Sequence, residues 1–256
     1  MIGAMLTREQ IEEYHERGLV VVPGLIPETS LDRYEQRFVA FANGELERVP
    51  QMKVMRDIMV VRGAVAPDSP LHAINKMINF EDEPVLYGYT LEPALTAAVR
   101  DLIGPELYSV STNIFNKPPG VDGRHPLHQD LRYFRIRPAD KIVGTWTPFA
   151  DTTRDSGCLA AIPGSHKGEL LEHGDPDWAF VNAGFYGIEN VDGADRVHLE
   201  MRRGDTLLFH PLLIHGSGRN VSGRFRRAIS SHFASAECES PSRDWRVGKQ
   251  ARPIPH

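Results

Sequence analysis

Over roughly the first hundred residues apolar positions repeat with a helical period, and beyond Leu107 they fall into short β-prone runs. Thr7 and Gln10 suit a capping box, and Ile11 and Tyr14 begin an apolar face. The pattern therefore predicts a helix over 8–17 that Gly18 ends. Residues 19–22 follow as a short buried strand stopped by Pro23 and Gly24. Ser30 is the expected cap of a second helix, from 31 to about 44, with Leu31, Tyr34 and Phe38 on its inner stripe. Residues 56–61 read as a strand, 63–70 as a loop, 71–80 as a helical segment, and 91–103 as a further helix ended by Gly104.

The later runs, 107–115, 141–149, 158–162, 197–201, 205–209 and 226–234, are separated by turn signals. Helices first and strands afterwards give an α+β chain, and an eight-stranded jelly roll is the double-sheet form of that architecture. One domain over 1–256 is expected from a chain of this length. Its parts are a helical region over about 1–105, a jelly-roll core over about 106–236, and a tail over 237–256. The stretch 164–194 is too long and too rich in Gly and Asp for a simple connection, which marks it as a lid over a site.

A net charge of −5 argues against a general nucleic-acid binder. The two cysteines, Cys158 and Cys238, exclude a disulfide scaffold and read as buried thiols in a reducing interior. The N-terminal residues become charged before an apolar core of signal-peptide length can form. No run approaches the roughly 20 apolar residues of a membrane span, and the last residues are not a Ser-Lys-Leu address. The expectation is a soluble cytoplasmic protein that acts on a small molecule, with neither nucleic acid nor membrane as partner.

The stretch RHPLHQDLRYF at 124–134 sets His128 and Asp130 two residues apart. In a strand such positions share a face, roughly 7 Å apart. An imidazole and a carboxylate so placed are two members of the 2-His-1-carboxylate triad that holds non-haem Fe(II) with open coordination positions. His-x-Asp alone is weak, because a loop histidine beside a turn aspartate produces it often. The third ligand must come from far along the chain. GDTLLFHPLLIHGSG at 204–218 offers His215, between an apolar run and a Gly-rich turn. Eleven residues on, Arg226 opens a run in which Arg226, Ala228, Ser230 and His232 share one face and Ile229 and Phe233 the other. A small, polar face suits a guanidinium that grips a carboxylate bidentately. Arg219, Arg224 and Arg227 compete for that role, the pattern favours Arg226 among them, and on the residues alone a surface basic cluster stands about level with it.

HPLHQDLRYF, NKPPG at 116–120, PGSHKG at 163–168, FHPLLIHGSGRN at 209–220 and FRRAISSHFAS at 225–235 together resemble the phytanoyl-CoA dioxygenase family. The similarity runs over about 6–236. It implies a double-stranded β-helix core, Fe(II), and the cosubstrates 2-oxoglutarate and O2. It also implies His128, Asp130 and His215 as iron ligands and Arg226 as partner of the far carboxylate of 2-oxoglutarate. Lys76 and Trp146 match two further cosubstrate contacts, and Asn113 falls where the family has a different residue lining the cosubstrate. An Asp at 130 implies hydroxylation, since family relatives that halogenate have Gly or Ala there. The reaction implied is hydroxylation of an unactivated C–H bond, at C2 of a branched-chain fatty acyl-CoA, with 2-oxoglutarate converted to succinate and CO2. No peroxisomal presequence is read at the N-terminus.

The remaining residues carry plainer expectations. Lys76, on the expected helix, is by default a solvated lysine, and Trp146 is core that can also wall a pocket. Ser217 either orients the carboxylate or serves the turn. By strand parity His125 points away from His128 and Asp130. His210 is expected to satisfy a buried hydrogen bond, His166 to hold a turn, and His232 to support the metal site from behind. Arg124, Arg132, Arg135 and Arg137 are either a solvated edge or a landing site for an anionic substrate such as an acyl-CoA, with the edge favoured. Other readings keep the chemistry but change the substrate to a secondary metabolite or small acid, make the protein a metal-bound ligand carrier, or place zinc in a hydrolase or isomerase.

Overall fold

In the computed structural model, which describes residues 5–189, 191, 195–241, 244–247 and 251–256, helix α1 (Arg8–Arg17) carries the capping box its spacing predicts. The Thr7 side chain accepts from Gln10 N, the Gln10 side chain accepts from Thr7 N, and Gly18 ends the helix at φ 78°. Strand β1 (Leu19–Val22) follows. Helix α2 (Glu28–Ala42) begins earlier than Ser30 implies. The backbone N–H groups of Ser30 and Leu31 already bond the Pro27 carbonyl, so Pro27 occupies the cap position.

Two expectations fail between α2 and the core. The expected strand over 56–61 is instead β2 (Lys53–Arg56) followed by a short helix, α3 (Ile58–Val61). Asp57 accepts from Met59 N at 2.9 Å and turns the chain there. The expected helix over 71–80 is a single 3₁₀ turn, Leu71–Ala73, and then β3 (Ile74–Ile78). A short apolar run does not choose between helix and strand by period alone, and pairing decides it here. Next come α4 (Pro84–Tyr87), α5 (Pro93–Ile103) and β4 (Leu107–Lys117); β3 joins β4 with Lys76 opposite Phe115.

The other strands are β5 (His125–His128), β6 (Ile142–Pro148), β7 (Leu159–Ala161), β8 (Val197–Leu199), β9 (Thr206–Phe209), β10 (His215–Ser217), β11 (Arg226–Ser235) and β12 (Arg252–Pro253). They form an eight-stranded sheet in the order β1-β9-β6-β11-β4-β3-β2, with β12 against β4, and a four-stranded sheet in the order β5-β10-β7-β8. The pairings are antiparallel. This is the α+β jelly roll the pattern predicts, although the expected tail supplies β12.

Alternation along the large sheet sorts its two faces. Ile114, Val143, Leu208, Ile229 and Phe233 face outward into a core with Tyr34, Phe38, Leu95 and Val99 of α2 and α5. The opposite face meets the small sheet, where Trp146, Leu159, Leu207, Phe209 and Ala228 make a second apolar cluster. Burying that much side-chain surface fixes the register, because a one-residue slip would carry every inward group to the wrong face. Among the described residues no helix is long and apolar enough to cross a membrane.

Candidate active site

A cavity of about 370 Å³ lies between the sheets. The small sheet supplies His128 at the end of β5 and His215 at the start of β10, Cα partners in the register. Gly216 follows because a Cβ there would lie 2.7 Å from the His125 carbonyl oxygen; only glycine lets β10 approach β5 so closely. Strand β5 stops at His128 rather than running through Asp130, which opens a 3₁₀ turn, Asp130–Tyr133. Gln129 stays extended, so the two side chains still converge.

His128, Asp130 and His215 are all buried, with one ligand atom from each lying within 4.8 Å of the others. His128 Nδ1 lies 2.8 Å from the Pro126 carbonyl, and His215 Nδ1 lies 3.0 Å from the Leu213 carbonyl. A carbonyl only accepts, so Nδ1 of each ring carries the proton and Nε2 presents a lone pair. These Nε2 atoms stand 3.1 and 3.8 Å from the Asp130 oxygens. Two lone pairs and a carboxylate aimed at one another call for a cation, and this donor set fits Fe(II) with positions left open. Burial pushes the His215 imidazole down to about 4, with His128 adding to it. For Asp130 burial acts upward, but the neighbouring imidazoles and the bond from His232 outweigh it and hold the carboxyl well below its ordinary range. Both groups are therefore in ligand form at neutral pH.

Across the cavity the large sheet presents Arg226. It is buried, its Nε has no hydrogen-bond partner, and its Cζ lies 5.6 Å from the Trp146 ring centroid. Burial lowers it to about 10, so it remains a cation at neutral pH. Its competitors face elsewhere: Arg219 pairs with Asp122, Arg227 with Glu35, and Arg224 is exposed. A buried, unpartnered guanidinium on a cavity wall fits a carboxylate. Asn113 and Ser217 line the same space, as does Lys76, whose Nζ lies 4.7 Å from the Phe115 centroid. Burial brings Lys76 down to about 8, with Asp130 opposing that.

His125 corrects the parity expectation. Its ring stacks on His128, centroids 4.0 Å apart, and on Phe185, 3.9 Å apart. Ser217 pairs with His125 while His215 pairs with His128, so two steps of β10 span three of β5. That bulge brings positions i and i+3 to one side. Phe185, Gly184 and Asn182 belong to the expected lid and do line the cavity. Residues 190 and 192–194 of that stretch lie outside the described residues. Tyr133 Oη donates to the Gly184 carbonyl, and Asn182 is tied to Asp57. Arg124 lies 4.0 Å over Trp178 and Arg132 4.2 Å over Tyr186, so these two arginines hold the covering stretch. Arg137 bonds the carbonyls of Phe134 and Ile136. His210 accepts from Leu212 N, and His166 meets the His15 carbonyl, the structural parts expected of them.

Lys117, Tyr133 and Phe185 were missed by sequence reasoning. Lys117 was within reach of it, since Asn113, Phe115 and Lys117 share one face of β4. Nothing local marks Phe185.

The model of the phytanoyl-CoA dioxygenase family matches residues 14–228. The human peroxisomal phytanoyl-CoA dioxygenase is 41% identical over 239 residues, covering 91% of this chain and 70% of the human one. A probable phytanoyl-CoA dioxygenase of Caenorhabditis elegans is likewise 41% identical, over 241 residues, 91% of this chain and 77% of its own. Among solved structures, the α-ketoglutarate-dependent carbocyclase SnoK of nogalamycin biosynthesis superposes with a TM-score of 0.72 at 18% identity, over 98% of this chain and 97% of its own. EvdO2 of Micromonospora carbonacea, in complex with 2-oxoglutarate, gives 0.67 at 20%, over 93% of this chain and 94% of its own.

The fold is thus the jelly roll of the non-haem, 2-oxoglutarate-dependent oxygenases. The chain belongs to the phytanoyl-CoA dioxygenase family and is an iron- and 2-oxoglutarate-dependent dioxygenase. The ligand-carrier and zinc-hydrolase readings give way to it.

Proposed function

We propose that His128, Asp130 and His215 hold the iron, that Arg226 holds the far carboxylate of 2-oxoglutarate, and that the enzyme hydroxylates C2 of a branched-chain fatty acyl-CoA such as phytanoyl-CoA. The observation that carries this is the buried, unpartnered Arg226 on the wall facing the triad. The substrate rests on the relatives named phytanoyl-CoA dioxygenase at 41% identity. The free, buried Cys158 and Cys238 fit a reducing compartment such as the cytoplasm.

Bound there, iron with 2-oxoglutarate and O2 supplies the oxidant for the C–H bond, and 2-oxoglutarate leaves as succinate and CO2. The chain's own groups bind and orient. Asp130 offsets part of the metal's charge and is steadied by His232. The planar guanidinium of Arg226 engages a carboxylate through two parallel N–H bonds, which fixes the direction of the keto acid. Trp146 backs that guanidinium, and Lys76, Asn113 and Ser217 line the remainder of the pocket. Phe185 and Tyr133 close the side away from the large sheet and keep water from the reacting carbon. A cavity of about 370 Å³ takes a small dicarboxylate and the reacting end of a chain, leaving a CoA group outside.

The test is an aerobic screen of acyl-CoA thioesters and free acids, read by succinate release and product mass. Branched acyl-CoA should raise succinate above the uncoupled background and gain one oxygen. Stimulation by free acids alone would overturn the acyl-CoA assignment. Arg226→Ala should weaken 2-oxoglutarate binding by roughly 100-fold; unchanged binding would overturn the clamp.

A further inference from the structure

Lys117 closes β4 directly opposite Arg226 on β11, as Cα partners in the register. Directly opposed residues of an antiparallel pair project to the same face, and like charges there repel. Both side chains are buried and both line the cavity. Lys117 Nζ donates to Ser217 Oγ at 2.7 Å and also to the Gly218 carbonyl. The acid on its side, Asp122, is engaged by Arg124 and Arg219. Two opposed cations lining one cavity, with no carboxylate among the described residues bonded to either, form an anion site.

We propose that Lys117 is a positioning residue for 2-oxoglutarate, completing with Arg226 a two-cation seat for its far carboxylate. This deepens the reading of Arg226 above and rests on it. The seat also gives Ser217 a direction. An ammonium only donates, so Ser217 Oγ accepts from Lys117 and turns its own hydrogen toward the carboxylate. Burial and the neighbouring Arg226 press Lys117 toward its neutral form, and an arriving carboxylate opposes both pressures. The seat selects a dicarboxylic 2-oxo acid over a monocarboxylic one.

The test compares wild type, Lys117→Gln and Lys117→Met, loaded with Mn(II) without oxygen, by calorimetric titration with 2-oxoglutarate, its far-carboxamide analogue and pyruvate. Gln keeps a hydrogen-bonding head for Ser217 and the Gly218 turn while removing the charge, so a purely structural role would survive it. Lys117→Gln should bind 2-oxoglutarate roughly 10–100-fold more weakly and lose most of the preference over the carboxamide. Mn(II) and pyruvate affinities should hold within about threefold. In turnover with Fe(II), the 2-oxoglutarate KM should rise by a similar factor while kcat at saturation stays within about twofold. Equal loss of Mn(II), pyruvate and 2-oxoglutarate binding would show a structural role and overturn the assignment, as would wild-type affinity in both variants. If wild type itself fails to bind 2-oxoglutarate, the Arg226 reading fails and Lys117 with it. If wild type binds and Lys117→Gln binds equally, only the Lys117 assignment fails.

Discussion

His232 Nε2 lies 2.7 Å from Asp130 Oδ2, and this one hydrogen bond joins the large sheet to the carboxylate that the small-sheet histidines share. Ser111 Oγ stands 2.9 Å from the other ring nitrogen. An ionised carboxylate only accepts, so Nε2 of His232 carries the proton of this bond. Asp130 is thus oriented by a group that never reaches the metal position. Partners that orient a ligand this way contribute 10–100-fold in metal affinity as a rough guide. His232→Ala should lose about that much in Mn(II) or Fe(II) titrations, and His232→Gln, which can still donate, about a third of it or less on a logarithmic scale. Equal affinity in His232→Ala and wild type would show that Asp130 holds its place without this bond.

Acid should destabilise the metal-free protein over a defined window. Burial pushes His210 and His215 down to about 4, and burial with His128 beside it pushes His125 well below its ordinary value. In the unfolded chain these histidines titrate near 6.5. Between about 4 and 6.5 the unfolded state therefore binds more protons, and stability falls as pH falls through that window. Asp130, held low, adds loss of the same sign below about 3.8, where its unfolded carboxyl takes up a proton first. The melting temperature should drop by on the order of 5 °C or more from pH 7 to 4.5. His210→Gln should flatten part of that slope without touching His128, Asp130 or His215, since a glutamine oxygen can accept from Leu212 N in its place. A pH-independent melting temperature would contradict the neutral, buried state of these rings.

Gly144 lies in β6 opposite Phe209, and a Cβ there would stand 2.4 Å from the Phe209 ring. That ring touches the site directly, 4.8 Å between centroids from His215 and 5.8 Å from His232. Gly144→Ala must push Phe209 toward His215 and His232, because the apolar cluster around Leu207 and Trp146 leaves it little room. Overpacking of this kind costs about 1–3 kcal/mol. Thermal unfolding should register the loss, and metal affinity should fall with it. A variant that unfolds earlier yet binds Mn(II) as wild type does would show that Phe209 moves away from the site.

Local signals carried the parts of this protein that local physics decides. The capping box of Thr7 and Gln10 fixes α1, and the alternation of Arg226, Ala228, Ser230 and His232 fixes the inward face of β11. The cluster of His128, Asp130 and His215 was legible from its residue types, although Asp130 reaches it from a 3₁₀ turn and not from a continuing strand. What was not legible depends on pairing across the fold. The run around Lys76 becomes a strand only because β4 lies ready beside it. His125 turns inward through a bulge that its own neighbours do not announce. Phe185 takes part through a stack with a residue 60 positions away, counting from 125 to 185.

That stack sets up the remaining expectation. Phe185 lies on His125, and His125 lies on His128, so the covering stretch rests on His128 through one intervening ring. Tyr133 pins the same stretch by its bond to the Gly184 carbonyl at 3.0 Å. Phe185→Ala removes the ring that closes this side of the cavity while leaving His128 bonded to the Pro126 carbonyl. Metal affinity should therefore change little. Water should gain access to the reacting carbon, and 2-oxoglutarate should be consumed without product. Succinate formed per hydroxylated product should rise by about fivefold or more, on the scale of 1 kcal/mol in partition between the two outcomes. Tyr133→Phe loses only the bond to Gly184 and should move the same ratio in the same direction by less. Paired measurement of succinate and product with the best acyl-CoA decides the matter. A ratio unchanged in Phe185→Ala would mean that the covering stretch does not seal the reaction.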